Sequence, residues 1–375
     1  MKNKTLFSFA SGTLMLAGQA FAQPYSFVPV DVYCPAAADA SACPVGLAPG
    51  QVAAQTSARG INASADVVGF YVAGGRQHGF LLKDGQYTSL DFPAPGVRAT
   101  SANGINPRGE IVGQYTVAVH DPGNPPPEDS PLYCPGANDP ACIKGFHYWR
   151  GKFSTVMFPA TVDENGQSRA HPGAIAQRIT PDGDIYGCVH DRDLGPSMFG
   201  AAWTRAGAFS LTFNGGQLSD PKAIPMSMNN GATPGDGVTI VGFAMDMMTN
   251  QQSGYIVRSG MLEFYDPTFD DQAIKANLTV IWDINPRKQF VGAYRAEGEP
   301  AARRHGFLQQ PDGSEPITLD FTCLESAGCA GAPFGTVAFA TTAFGVNPTG
   351  VVVGQYVLAV GGAVHGFVAI PQPTN

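Results

Sequence analysis

One short pattern recurs along this chain, and no other feature limits so strongly what it can fold into. In its first form it reads Gly60-Ile61-Asn62, a turn, Val67-Val68-Gly69-Phe70-Tyr71, His78-Gly79-Phe80-Leu81 and Thr88-Ser89-Leu90-Asp91-Phe92-Pro93. A second copy has Gly104-Ile105-Asn106, Ile111-Val112-Gly113-Gln114-Tyr115, Gly145-Phe146-His147 and Thr155-Val156-Met157-Phe158-Pro159. The third keeps Arg178-Ile179-Thr180, Ile185-Tyr186-Gly187 and Phe209-Ser210-Leu211-Thr212-Phe213, and the fourth is degenerate around Met228-Asn229 and Ile240-Val241-Gly242-Phe243. The fifth returns to type with Ile284-Asn285-Pro286, Phe290-Val291-Gly292, His305-Gly306-Phe307 and Leu319-Asp320-Phe321. A sixth has Gly345-Val346-Asn347, Val352-Val353-Gly354-Gln355-Tyr356 and His365-Gly366-Phe367-Val368.

Each copy contains short β-rich runs parted by turn signals such as Asn106-Pro107-Arg108-Gly109 and Lys83-Asp84-Gly85. Four strands per repeat predict an all-β, six-bladed β-propeller of four-stranded blades, with repeats near 55–93, 99–159, 174–213, 223–267, 279–321 and 340–370. The last repeat lacks its fourth strand. Residues 25–32 can supply it, because Asp31-Val32-Tyr33-Cys34 matches Asp320-Phe321-Thr322-Cys323, which follows the fourth strand of the fifth repeat. An N-terminal strand completing the last blade would close the ring and leave no free edge there. Seven blades is the alternative. Residues 23–375 read as one domain.

These units resemble the extracellular HAF repeat family through His78-Gly79-Phe80, His305-Gly306-Phe307 and His365-Gly366-Phe367. The resemblance covers nearly all the chain after the leader and implies an exported repeat protein. It transfers no catalytic residues.

Export is also read from the residues. Lys2 and Lys4, an apolar run from Leu6 to Gly18 and Ala20-Phe21-Ala22 form the pattern of a signal peptide over residues 1–22. The run is too short to span a bilayer, so no membrane span is expected, and the protein should reach the periplasm or the extracellular space. Six of the 7 cysteines form close pairs, Cys34 with Cys43, Cys134 with Cys142 and Cys323 with Cys329, each in a stretch of small and turn-forming residues. Three local disulfides fit an oxidising compartment. None of the pairs has zinc-ligand spacing, so no metal is expected, and Cys188 is left as a buried thiol. A net charge of -8, with only 14% charged residues, argues against a nucleic-acid partner.

With the strands of a blade named a to d outward from the axis, a–b and c–d turns lie on one face and b–c and d–a connections on the other. The extra chain length falls on the second face: Tyr33 to Ala54, Thr116 to Lys144, Ala160 to Gly173 and Thr322 to Val337. Long loops on a rigid scaffold are where binding concentrates. The leading expectation is therefore a monomeric binding or scaffold protein that presents disulfide-pinned loops to a protein or glycan, with no cofactor.

The alternative is a secreted hydrolase or lyase with a His/Asp/Arg site at the channel mouth. Its candidates break the repeat: His120 and Asp121, then His190, Asp191 and Arg192, both groups following strand b on the long-loop face. Their ordinary reading is solvated loop. His171 is a weaker candidate. The His-Gly-Phe histidines recur around the ring and read as structural, each bonding a loop carbonyl. Ligand-binding candidates come from the varied column on strand a: Arg59, Asn103, Gln177, Met226, Trp282 and Phe344. The neighbouring Ala58, Ala102, Ala176 and Ala343 read as packing. Met226, Met228, Met245, Met247 and Met248 read as core filler rather than soft-metal ligands. Nucleophile-elbow, zinc-protease, P-loop and dinucleotide fingerprints are lacking.

Overall fold

Strand b of each repeat carries a Val-Gly or Tyr-Gly step, and that glycine explains how a repeat packs. A Cβ on Gly69 would lie 1.9 Å from the Ser57 carbonyl oxygen and 2.8 Å from the Phe80 ring. Glycine thus makes room for the fully buried Phe80 of His-Gly-Phe, and Gly113 with Phe146, Gly292 with Phe307 and Gly354 with Phe367 repeat the arrangement. The computed structural model describes residues 24–162, 165–190, 198–204, 207–210, 223–232, 239–246, 251–258, 261–269, 274–324, 329 and 332–373. The expected leader, residues 1–22, lies outside the described residues.

The described chain is all-β and propeller-like. Its strands fall into antiparallel groups of four, the first and second groups joined by a parallel pair at Gln77 and Ala99 and the fourth and fifth by one at Gln252 and Leu278. The first has strands a to d at Gln55–Ile61, Val67–Ala73, Arg76–Lys83 and Gln86–Leu90. The second has Val97–Ile105, Ile111–Val117, Ile143–Trp149 and Lys152–Val156; the third has Gly173–Ile179, Ile185–His190, Met198–Thr204 and Gly207–Ser210. The fourth has Ala223–Ala232, Thr239–Asp246, Gln251–Arg258 and Met261–Tyr265; the fifth has Ile274–Ile284, Phe290–Ala296, His305–Gln309 and Ile317–Thr318. In the sixth, Ala340–Val346, Val352–Val357 and His365–Pro371 are joined by the N-terminal strand Tyr25–Pro29, which pairs antiparallel with strand c in the register Tyr25 to Pro371 and Ser26 to Ile370. Phe27 seals this junction by edge contacts with Phe321 and Phe367 at 5.6 and 5.4 Å.

The inner strands a neighbour one another in a cycle, with the sixth beside the first. The Asn of Gly-Ile-Asn ties that cycle together. Within its turn, Asn106 Oδ1 accepts from the backbone of Arg108 and Glu110, both at 3.0 Å. Its Nδ2 reaches across to the Thr180 carbonyl at 3.2 Å. The same bridge runs from Asn285 to Asn347 (2.9 Å), from Asn347 to Asn62 (3.5 Å) and from Asn62 to Asn106 (3.3 Å). One residue type, at one turn position, thus satisfies its own turn and grips the next unit.

The His-Gly-Phe histidines differ from expectation. Each bonds a carboxylate rather than a carbonyl: His78 Nδ1 to Asp91 (2.8 Å), His305 Nδ1 to Asp320 (2.6 Å) and His365 Nδ1 to Asp31 (2.9 Å). The physical reason is that strand d ends on Asp in these units, beside the start of strand c. Tyr71, Tyr294 and Tyr356 stack on the other side of the rings at 5.1–5.2 Å. In the second unit Lys144 takes the histidine's place, fully buried, with Nζ donating to the Pro172 carbonyl at 2.5 Å; burial pushes its pKa down to about 8. Ser253 takes it in the fourth, bonding Asp266 at 2.9 Å.

Since Asp31 directly follows the N-terminal strand, its pair with His365 ties that strand to the last unit. The Asp31 hydrogen bond raises the His365 pKa, partly opposed by burial. A raised folded-state pKa means stability that is fully present below the unfolded value of about 6.5 and is lost as pH rises through the folded value. Asp31→Asn should therefore cost about 1–2 kcal/mol at pH 6 and progressively less above neutrality. Urea unfolding of both proteins across that range checks this, and a wild-type advantage that grew with pH would contradict it.

Two disulfides, Cys34–Cys43 and Cys134–Cys142, pin the loops before the first unit and within the second. The third expected bridge differs: Cys323 and Cys329 are buried thiols, hydrogen-bonded to each other. Their surroundings match those of the first bridge, since Cys323 N–H donates to Thr336 O as Cys34 N–H donates to Gln51 O, both at 2.9 Å. Residues 325–328, between them, lie outside the described residues. The stretch expected as a loop from Ala160 to Gly173 contains a hairpin, Phe158–Val162 with Ser168–His171.

Candidate functional site

Strand a carries one irregularity that recurs at the same position in every unit. Its pairing with strand b skips a residue between Ala58 and Gly60, Ala102 and Gly104, Ala176 and Arg178, Pro225 and Ser227, Ile281 and Asp283, and Ala343 and Gly345. The skipped residues are the varied column Arg59, Asn103, Gln177, Met226, Trp282 and Phe344. A bulge frees a side chain from the ladder and re-aims it. On the innermost strands of a cycle this places the column around the axis. The alanines before it, Ala58, Ala102, Ala176 and Ala343, are fully buried between units, as expected.

The column divides into two parts. Arg59, Trp282 and Phe344 form a cation–aromatic cluster: the Arg59 guanidinium carbon lies 3.9 Å from the Phe344 ring centroid and 5.2 Å from that of Phe70. Trp282 meets Phe344 edge-on at 5.2 Å and Phe243 at 6.3 Å. Opposite stand amides and hydroxyls. Asn103 Nδ2 donates to Ala176 O at 3.1 Å and its Oδ1 accepts from Ser101 at 2.9 Å, so it is buried and occupied by packing between units. Gln177, like Arg59 and Trp282, keeps partial exposure. The side chain of Met226, like those of Met228 and Met245, and residues Met247 and Met248 lie outside the described residues.

The axis is blocked at the a–b turn end. The residue after each bulge is Gly60, Gly104 or Gly345 in three units, where a Cβ would approach neighbouring backbone to about 3 Å. In the third and fifth units that position holds Arg178 and Asp283 instead. Arg178 crosses the axis: Nη1 donates to Asn103 O and Gln177 O, both at 2.7 Å, and Nη2 to Arg59 O at 3.0 Å and to Phe344 O. Its Nε lies 3.4 Å from Asp283 Oδ1, whose carboxylate also accepts from the backbone of Ile284 (3.0 Å) and Val346 (2.9 Å). Both side chains are buried. A cavity of about 80 Å³ sits above them, ringed by Pro107, Pro181, Pro286 and Pro348. Sequence reasoning missed this pair, although two charged residues of opposite sign in a column of three glycines and Ser227 were its visible signal.

The enzyme candidates among the described residues hydrogen-bond to separate partners. His120 Nδ1 accepts from Cys134 N–H at 3.1 Å within its own disulfide loop, and exposed Asp121 accepts from Gly123 N–H at 2.9 Å. His190 lies in strand b of the third unit with Nε2 3.5 Å from Cys188 Sγ, and burial pushes its pKa down to about 4. Neutral at pH 7, it could serve as a base, but among the described residues its hydrogen bond and those of His120 go to separate partners. Asp191 and Arg192 lie outside the described residues. His171 is buried and bonds Thr161 at 2.9 Å. A groove of about 600 Å³ between the fourth and fifth units, lined by Arg258, Glu263, Gln309 and Glu315, belongs to the c–d turn side.

No protein-family model matches the chain, and no curated protein does. Among solved structures, a Trypanosoma rangeli sialidase in complex with sialic acid is similar at 7% identity and a TM-score of 0.46. The alignment covers 93% of this chain and 59% of that one.

Proposed function

We propose that the chain is an exported six-bladed β-propeller of the HAF repeat type that binds a protein or glycan partner on its long-loop face. The reading of six blades is supported by six groups of four strands whose inner strands neighbour one another in turn, with the N-terminal strand in the last group. The observation that carries the binding reading is where apolar surface remains exposed. Of the 12 large hydrophobic residues exposed among those described, 10 sit in b–c or d–a connections, and only Phe264 and Ile370 do not. They include Tyr33, Val45 and Val52 in the first disulfide loop, Val119 and Leu132 in the second, and Leu324, Phe334 and Val337 in the loop around Cys323 and Cys329.

Apolar side chains held out on pinned loops mark interaction surfaces. Phe334, 81% exposed, is the most prominent. The tight turns of the opposite face carry asparagines and prolines turned to the structure's own cohesion. Immobilised protein should retain a binder from a panel of glycans and exported proteins, and Phe334→Ser with Val337→Ser should weaken retention at least tenfold while leaving the unfolding midpoint unchanged. Retention indifferent to both changes would refute the long-loop face as the binding surface.

A further inference from the structure

Two arginines meet at the axis, and only one has a carboxylate. Asp283 answers Arg178. Arg59 has no acidic partner among the described residues: Nε donates to Ser57 Oγ at 2.9 Å, and the guanidinium rests against Phe344 and Phe70. Its two terminal nitrogens donate to no acceptor among the described residues, and the residue as a whole keeps partial exposure. Burial and the nearby Arg178 push its pKa down to about 9, which still leaves it charged at neutral pH. Among the described residues the axis therefore carries two positive groups against one negative.

We propose that the residues around the axis bind an organic monocarboxylate, with the carboxylate on the terminal nitrogens of Arg59 and the ligand's body against Trp282. A guanidinium presents two parallel N–H donors that match a carboxylate, and the aromatic rings around it keep out the water that would otherwise compete. The charge balance selects the ligand class. A monoanion neutralises the surplus, whereas a dianion such as phosphate would leave a net negative charge in a poorly solvated space. Trp282, partly exposed and in contact with the same Phe344 ring that the guanidinium covers, offers a flat face for the CH face of a sugar acid or for an aromatic acid. Gln177, also partly exposed, adds an amide that can donate or accept. The axis is blocked behind the ligand by Arg178 and Asp283, so entry is from the long-loop side.

The test is calorimetric titration of the mature protein with glucuronate, benzoate, glucose and inorganic phosphate, with tryptophan fluorescence in parallel. Glucuronate or benzoate should bind and perturb the fluorescence; glucose, which has the sugar ring without the carboxylate, and phosphate should bind at least tenfold more weakly. Arg59→Gln should weaken carboxylate binding roughly ten- to hundredfold. Arg59→Lys keeps the charge without the paired donors and should fall between, and it decides the matter if Arg59→Gln does not fold. Trp282→Leu should weaken binding and abolish the fluorescence change. The proposal is overturned if neither carboxylate binds at concentrations up to about 10 mM, if phosphate binds as well as the carboxylates, or if the Arg59 variants bind as wild type. None of these residues lies in the long loops, so failure here leaves the partner-binding proposal standing, and the reverse.

Discussion

Replacing Arg178 by methionine is expected to lower stability by about 3–5 kcal/mol, a large share of the 5–15 kcal/mol by which a typical domain is stable. The guanidinium answers carbonyls on four inner strands and a carboxylate on a fifth. Methionine fills a similar volume but leaves those carbonyls unmet and Asp283 as an uncompensated buried charge. The pair should be strongly coupled. Arg178→Gly combined with Asp283→Gly restores the glycine that three other units carry and removes both charges, so the double variant should be more stable than Arg178→Gly alone. Denaturant titration of the four proteins in that cycle measures the coupling, and additive losses would mean that the two side chains do not meet across the axis.

A mature chain lacking residues 24–32 is expected not to fold to a stable monomer. It would lose the buried side chains of Tyr25, Val30 and Val32, which at roughly 1.5–3 kcal/mol each come to about 5–9 kcal/mol, as well as the Asp31 partner of His365. The strand c edge would be left bare beside Phe367, open to pairing with another chain. Size-exclusion chromatography should find aggregate or strand-exchanged oligomer, and a synthetic peptide of residues 24–33 added in trans should recover monomer. A truncated chain with wild-type solubility and unfolding midpoint would show that the N-terminal strand closes nothing.

Much of this fold was legible in the repeats, because the constraints that shape a unit are local. Val-Gly and His-Gly-Phe recur because one glycine must admit one phenylalanine, and Gly-Ile-Asn recurs because one asparagine both caps a turn and reaches the next unit. The closing strand was legible too, since Asp31 and Cys34 keep the spacing of Asp320 and Cys323. What pairs between distant repeats was harder to see. The His–carboxylate bonds were signalled by co-occurrence, a terminal Asp on strand d wherever strand c opens on His, but a single histidine read alone suggests only a backbone partner.

The site was half legible. Variation at Arg59, Gln177 and Trp282 marked the axis, yet the bulge that turns these residues inward is a register shift of one residue, which strand propensity does not encode. Asn103, in the same column, proves to be packing between units. His120 and His190 both follow strand b in the sequence, yet their hydrogen bonds go to separate partners, because loop spacing places no constraint on where two side chains end.

The central claim is a ring closed by the chain's own first strand, with every long loop on one face. Cross-linking across the Tyr25–Pro29 and His365–Pro371 pairing tests it most directly. In Ser26→Cys with Ile370→Cys the two positions stand opposite in the ladder. Peptide mass spectrometry of the unreduced, monomeric protein should find the two engineered positions joined to each other in most molecules. Engineered thiols that stay free, or that join only between two chains, would contradict the closure and the architecture built on it.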